Sequence, residues 1–218
     1  MQGDEVDLMK FPTPLWHALD GGRYIGTGAA VATIDPDDHW VNLGAYRSML
    51  VDRNHVTMNI VNGKHGRTHC DKWMAREGRA PVAIHIGMDP LFMILAGVEV
   101  PTGMSELNYA GAVRGEPVRV VRSTVTGLPL IADAEIIIEG WIKQGETTDE
   151  GPFGEWPGYY ASNSRPEPVL KIKTIYHRND PIITGAPPAK PTYPGTFFGT
   201  AGSALFRAAS LWDDLEAA

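Results

Sequence analysis

Two carboxylates five residues apart, Glu150 and Glu155, bracket the turn Gly151-Pro152-Phe153-Gly154, and no other segment of the chain is as well equipped for acid–base chemistry. The glycines reach backbone angles closed to other residues, Pro152 fixes one torsion and Phe153 offers an apolar anchor, so both acids can be held rigidly. A carboxyl beside an aromatic ring is poorly solvated and keeps its proton nearer neutral pH, as a general acid must. The same residues also make a solvated acidic turn, since structural carboxylates outnumber catalytic ones. A cation would separate these two accounts. Arg47 interrupts an apolar run, where a guanidinium is rarely buried without a carboxylate. Placed between Glu150 and Glu155, it would keep one ionised and leave the other free to carry a proton. A surface arginine on an edge strand is the competing account.

Three further constellations invite chemistry. His65 and His69 stand at i and i+4 of a predicted helix, a spacing able to grip a transition metal, but the intervening Gly66-Arg67-Thr68 supplies no glutamate base. Such pairs more often combine one functional and one surface histidine, or two surface ones. Asn42, His65 and Glu106 offer an amide oxygen, an imidazole and a carboxylate, a set suited to Mn²⁺ or Mg²⁺ beside a phosphate, although spacing alone does not gather them. Gly26-Thr27-Gly28 opens like a dinucleotide fingerprint, but position 31 is Val and strand character follows. Close backbone approach to another strand or to a ligand explains these glycines better.

The elements that must position these residues form a mixed order rich in strands. Strands are predicted over 23–34, 40–50 and 56–61, followed by a helix over 64–77 with Gly78 as its stop. A buried strand over 81–87 leads to Asp89-Pro90, the cap and first residue of a helix over 91–96, and Ser105 caps another helix through Val113. Strand character returns over 118–122, 134–144 and 169–177, and Ile136-Ile137-Ile138 is the run expected of a strand buried on both faces. Asn42 and Arg47 fall five positions apart on one predicted strand, hence on opposite faces unless a bulge or bend intervenes. Residues 1–15 form a polar lead-in, and 188–218 a Pro/Gly connector with a C-terminal helix over 201–217.

Composition narrows the function classes. At 218 residues and 43% hydrophobic content the chain can bury a core and is expected to form one domain, or one large domain with an appendage. A net charge of −7 with scattered basic residues provides no footprint for nucleic acid or an anionic membrane. No 18 apolar residues run together and residues 1–10 hold no apolar signal core, so a soluble, cytoplasmic protein is expected. With Cys70 alone there is no internal disulfide and no multi-cysteine zinc site.

Gly26-Thr27-Gly28, Asn42-Leu43-Gly44-Ala45-Tyr46-Arg47, Gly63-Lys64-His65, Ser105-Glu106, Glu135-Ile136-Ile137-Ile138-Glu139-Gly140, Gly145-Glu146-Thr147 and the Glu150 to Glu155 loop occur in that order. Collectively they closely resemble the UbiD family of reversible decarboxylases, over residues 16–187, and E-G-P-F-G-E with an upstream N-x-x-x-x-R is specific in combination. The resemblance implies an α+β fold, a split β-barrel flavin-binding domain with short flanking helices. It implies prenylated FMN, supplied by a flavin prenyltransferase, with Mn²⁺ (or Mg²⁺) and K⁺ at the cofactor phosphate. Carried across by position, the metal ligands fall on Asn42, His65 and Glu106, and the catalytic set on Arg47, Glu150 and Glu155. Leu43, Gly44, Ala45, Tyr46 and Lys64 join Asn42, Arg47, His65 and Glu106 as cofactor contacts, with Thr27 at the ring system. The implied reaction is non-oxidative loss of CO₂ from an aromatic, phenolic or α,β-unsaturated acid, with Glu155 as proton donor under the apolar cover of Phe153 and Trp156. Family members add an N-terminal domain and a C-terminal domain that closes over the site, and neither is expected within these 218 residues. A fragment, a short paralogue and one subunit of a larger assembly all fit this, so a homo-oligomer or partner subunit stays open, and an auxiliary flavin- or metal-binding subunit is the alternative function.

Overall fold

The computed structural model describes residues 1–188 apart from 99, 102 and 157, with seven further positions between 208 and 216. The connector beyond 188 and most of the helix predicted over 201–217 lie outside the described residues. In chain order the elements are β1 (Ala29–Ile34), β2 (Val41–Gly44), β3 (His55–Thr57), α1 (His65–Glu77), β4 (Arg79–Ile86), α2 (Pro90–Ala96), α3 (Glu106–Arg114), β5 (Val120–Arg122), β6 (Pro129–Ile131), β7 (Ile136–Glu150) and β8 (Arg165–His177). Six strands form one sheet in the order β2-β1-β4-β7-β8-β3, antiparallel throughout, and β5 pairs with β6 in a separate hairpin.

Both faces of the sheet are covered, which explains its apolar central strands. Val82, Ile84, Ile86, Ile136 and Ile138 face a core that also takes Cys70 of α1, whereas Ala83 and Ile137 face Phe92, Leu95, Ala110 and Leu130 from the helices and hairpin of the other side. The helices stop and start where local chemistry dictates. Gly78 takes φ 67° and its N–H reaches Met74 O, and the Asp89 and Ser105 side chains accept from Leu91 N and Leu107 N.

Four expectations change. The strand predicted over 23–34 begins only at Ala29, because Gly26 and Gly28 are where backbone presses on Ser48 and Thr184, so close that a Cβ would collide. The strand predicted over 40–50 ends at Gly44, and residues 45–48 turn away from the sheet. Residues 1–15 are no polar appendage: Val6, Leu8 and Phe11 are buried in the core, and the Met1 ammonium donates to Ile175 O at 2.7 Å. The sheet is open among the described residues, with β2 and β3 as its edges; isolated bridges at Tyr24–Met49 and Leu50–Val56 tie the segment after β2 to its neighbours without pairing β2 to β3, so the split barrel expected from the resemblance is not closed by its strand pairing.

Candidate active site

Three converging pieces of chain build a charged corner. β7 delivers Glu150 at its end, the irregular segment after β2 delivers Arg47, and the loop after β7 delivers Glu155. The loop is pinned at several points. Gly21 N–H donates to Pro152 O at 2.8 Å, Gly154 N–H donates to Asp20 Oδ1 at 3.0 Å, and the Gly151–Pro152 bond is cis. Gly21 lies against Gly151 so closely that any side chain there would strike its carbonyl. Phe153 is buried with Tyr24 and Met49, forming the apolar floor beneath Arg47, whose guanidinium lies 5.1 Å from the Phe153 ring centre.

Arg47 forks between the two acids. Its Nε and one terminal nitrogen donate to Glu150 at 2.8 and 3.0 Å, and the other terminal nitrogen donates to Glu155 Oε1 at 3.2 Å. The bidentate arm is buried, with the Glu150 side chain at 0% exposure, while Glu155 retains 29%. Glu150 also accepts from Tyr24 OH at 2.6 Å and Asn59 Nδ2 at 3.1 Å. Burial alone would raise its pKa, but the bonds from Arg47, Tyr24 and Asn59 outweigh burial and hold it below the usual carboxylate range. The apolar cover expected from Trp156 is missing, because that side chain is 45% exposed and only Phe153 lies buried beneath the loop.

A second polar group gathers around β2. Asn42 is buried on that strand, and its Nδ2 makes only long contacts of 3.5 Å to Thr33 and Tyr46. Glu106, the first residue of α3, is 2% exposed and accepts from Leu43 N at 2.7 Å. Burial pushes its carboxyl up to about 7 despite that bond. His65 opens α1 with its ring 4.7 Å from Trp40, and Lys64 precedes it at a helix start that has no side-chain cap and no acid in its first turn. Tyr46 ties these together: its hydroxyl accepts from Gly66 N at 3.3 Å, and its ring fills the space that Gly44 and Gly66 leave. Ala45 donates from its backbone to Ala96 O at 2.9 Å, and Thr27 Oγ1 accepts from Ala186 N at 3.3 Å.

The family model described as 3-octaprenyl-4-hydroxybenzoate carboxy-lyase Rift-related domain (UbiD) matches residues 1–191. The chain belongs to the UbiD family. Pyrrole-2-carboxylic acid decarboxylase of Pseudomonas aeruginosa is 38% identical over 190 residues, spanning 85% of this chain and 38% of that relative. Ferulic acid decarboxylase 1 of Saccharomyces cerevisiae is 33% identical over 183 residues, 83% of this chain and 36% of the yeast protein. The UbiD-class enzyme HmfF from Pelotomaculum thermopropionicum, solved in complex with FMN, superposes with a TM-score of 0.81 at 31% identity, over 86% of this chain and 42% of HmfF. An evolved dimeric form of HmfF in complex with prFMN gives 0.80 at 31% identity, over 85% of this chain and 43% of that one. The chain thus spans under half the length of these relatives.

In this UbiD chain the structure brings Arg47, Glu150 and Glu155 into direct contact. Asn42, His65 and Glu106 share the surroundings of β2 without hydrogen-bonding one another among the described residues. His69 corrects the expectation of a surface residue: it is 0% exposed, bonded through Nδ1 to Thr33 Oγ1 at 3.1 Å, and belongs to the packing under Trp40. Among the described residues no three His, Cys, Asp or Glu side chains group as a metal cluster, and no helix is long and apolar enough to cross a membrane. A cavity of about 540 Å³ opens between the β5–β6 hairpin and β8, but none of the predicted site residues lines it. Sequence reading missed Tyr24, Asn59 and Glu167. Asn59 carried a usable signal, a polar residue inside the apolar run 56–61, the same signal that singled out Arg47.

Proposed function

We propose that the protein carrying this chain catalyses the non-oxidative, reversible decarboxylation of an aromatic, phenolic or α,β-unsaturated carboxylic acid with prenylated FMN. The observation that carries this reading is the forked contact of Arg47 with Glu150 and Glu155, found in a chain of the UbiD family.

The groups around β2 fit a bound cation and phosphate. Glu106 is a buried carboxylate whose one bonded partner among the described residues is a backbone N–H, and a divalent ion would discharge it. With Asn42 Oδ1 and the His65 imidazole it makes the oxygen-rich set preferred by Mn²⁺ or Mg²⁺. Lys64 and the uncapped start of α1 supply positive charge for a phosphate, with K⁺ as its companion ion. When bound, the prenylated flavin supplies the sink for the electron pair that CO₂ leaves behind.

The chain's own residues do the rest. Arg47 is held by buried Glu150, which stays ionised, and presents its remaining nitrogen toward Glu155, whose partial exposure leaves it in reach of solvent and substrate. Glu155 in the acid form gives its proton to the carbon that has lost CO₂, the C–H bond replaces the C–C bond, and solvent reprotonates the carboxylate. Run backwards, Glu155 takes that proton and CO₂ adds.

The test is to load the protein with prenylated FMN and Mn²⁺ and to measure CO₂ release and hydrogen–deuterium exchange against a panel of aromatic and unsaturated acids. Wild type should exchange, and Glu155→Gln should lose about 10²- to 10⁴-fold in exchange, the range of a general acid, while retaining the flavin. Tight flavin binding with no exchange in wild type would replace this reading with that of an auxiliary subunit. Loss of flavin from Glu155→Gln would make Glu155 structural.

A further inference from the structure

Beyond Arg47 the network does not stop at Glu150. The Asn59 amide spends both its protons on acids, one on Glu150 Oε2 at 3.1 Å and one on Glu167 Oε1 at 3.3 Å. Glu167 in turn accepts from Arg165 Nε at 2.7 Å. Asn59 is fixed independently of these contacts, because its backbone N–H donates to Arg47 O at 3.1 Å and its neighbour Met58 donates to Pro168 O at 2.9 Å. One residue therefore registers the segment carrying Arg47 and the start of β8, and places a neutral amide between two acids.

That placement has an electrostatic purpose. Glu150 is fully buried and Glu167 is 7% exposed, and two carboxylates sharing a buried site cannot both stay ionised unless donors or cations stand between them. Around Glu150 stand Arg47 and Glu155 from the segments flanking β2 and following β7, Tyr24 from the segment before β1, with Asp20 behind it, and Glu167 with Arg165 from β8. Asn59 is the group that both reaches Glu150 and screens it from the second acid.

We propose that Asn59 is a positioning residue of the active site: by forking between Glu150 and Glu167 it keeps Glu150 ionised, and so fixes how Arg47 is shared with Glu155. The inference rests on the decarboxylase reading for its catalytic meaning, but its electrostatic content is independent of any cofactor.

Two variants push the network in opposite directions. Asn59→Leu, of similar size, removes the donor and leaves Glu150 facing Glu167, so protonation of Glu150 should move up by about one pH unit. Glu167→Gln leaves Asn59 in place and removes the nearby negative charge, so protonation of Glu150 should move down. Both shifts are read in the cofactor-free protein by carbon-13 NMR titration of labelled glutamate carboxyls, with Glu150 assigned through Glu150→Gln. In the loaded enzyme Asn59→Leu should lower kcat about 10- to 100-fold, the worth of a bond to a charged group, with KM within about twofold. Adding Glu167→Gln to Asn59→Leu should return the Glu150 midpoint toward the wild-type value. A purely structural Asn59 would lower Tm and leave both midpoints where they were, which overturns the proposal even in an active enzyme. Opposed midpoint shifts in a protein whose wild type shows no CO₂ chemistry would uphold the electrostatic role and sink the decarboxylase reading instead. If Asn59→Leu does not fold, an unmoved midpoint in Glu167→Gln is sufficient to overturn it.

Discussion

The corner at Arg47 and the group around β2 are both buried and polar, yet they balance charge in opposite ways. At the corner every charge has a partner within the chain: Glu150 takes four bonds, two of them from Arg47, and its pKa is depressed. Around β2 the buried Glu106 accepts one backbone bond, Asn42 makes only 3.5 Å contacts, and the Glu106 carboxyl is pushed up to about 7. The first arrangement is finished by folding and can orient a reacting group without further help. The second is left in electrostatic debt by folding, which is the condition that the proposed cation would relieve. Preorganisation and receptivity are thus separated in space, one at the end of β7 and the other along β2.

The strongest way to break the contrast is to remove Arg47. Arg47→Met should destabilise the protein by about 3–5 kcal/mol, because Glu150 is left buried and unpaired, and should abolish exchange activity. Urea unfolding read beside the activity assay checks it, and a loss below about 1 kcal/mol, typical of an exposed pair, would show the corner to be solvated. Glu106→Gln should do the reverse. The folded-state pKa of Glu106 is raised above its unfolded value, so its contribution to stability is complete below the unfolded pKa of about 4.3 and is lost as pH rises through about 7. At pH 8 without metal, Glu106→Gln should therefore be more stable than wild type by about 1–3 kcal/mol. At pH 4, below the unfolded pKa, the two should unfold nearly alike, and the variant should bind Mn²⁺ weakly by calorimetry. A variant less stable at pH 8 would mean that Glu106 is already neutralised within the chain. The smallest effect is expected at the junction of the two regions. Tyr46→Phe removes the acceptor of Gly66 N–H and should cost about 1 kcal/mol in urea, with Mn²⁺ affinity altered more than the pH dependence of exchange.

How much of this was legible in the sequence follows from the range of each interaction. The caps at Asp89, Ser105 and Gly78 are decided within a turn of chain, and the helices begin and end where those residues predict. Ile136 to Ile138 announces a strand buried on both faces, and the two cores take alternate residues of it. Arg47 stood out because a guanidinium in an apolar run demands an acid. Tyr24 did not, since an aromatic in an apolar run demands nothing until its hydroxyl meets Glu150, 126 positions away. The premature end of β2 was equally hidden: it depends on the Tyr46 ring seated between Gly44 and Gly66, a contact that brings a strand against a helix start. The lead-in reads as polar because Asp4, Glu5, Asp7 and Lys10 interrupt any apolar run, while the core takes Val6, Leu8 and Phe11 from between them.

β7 begins among the isoleucines of the core and ends at Glu150, and its register with β8 slips between Ile142 and Thr147, where Gly145 takes φ 79°. Mechanically it is a splice rather than a hinge, since the strand is paired to β8 on both sides of the slip. Thr147 to Glu150 pair again with Pro168 to Arg165 of β8, so the slip resets the register of the strand without loosening the end that carries Glu150. Which face of the sheet presents Glu150 to Arg47 is thus settled at 143–146, several residues upstream of the acid and outside the site itself.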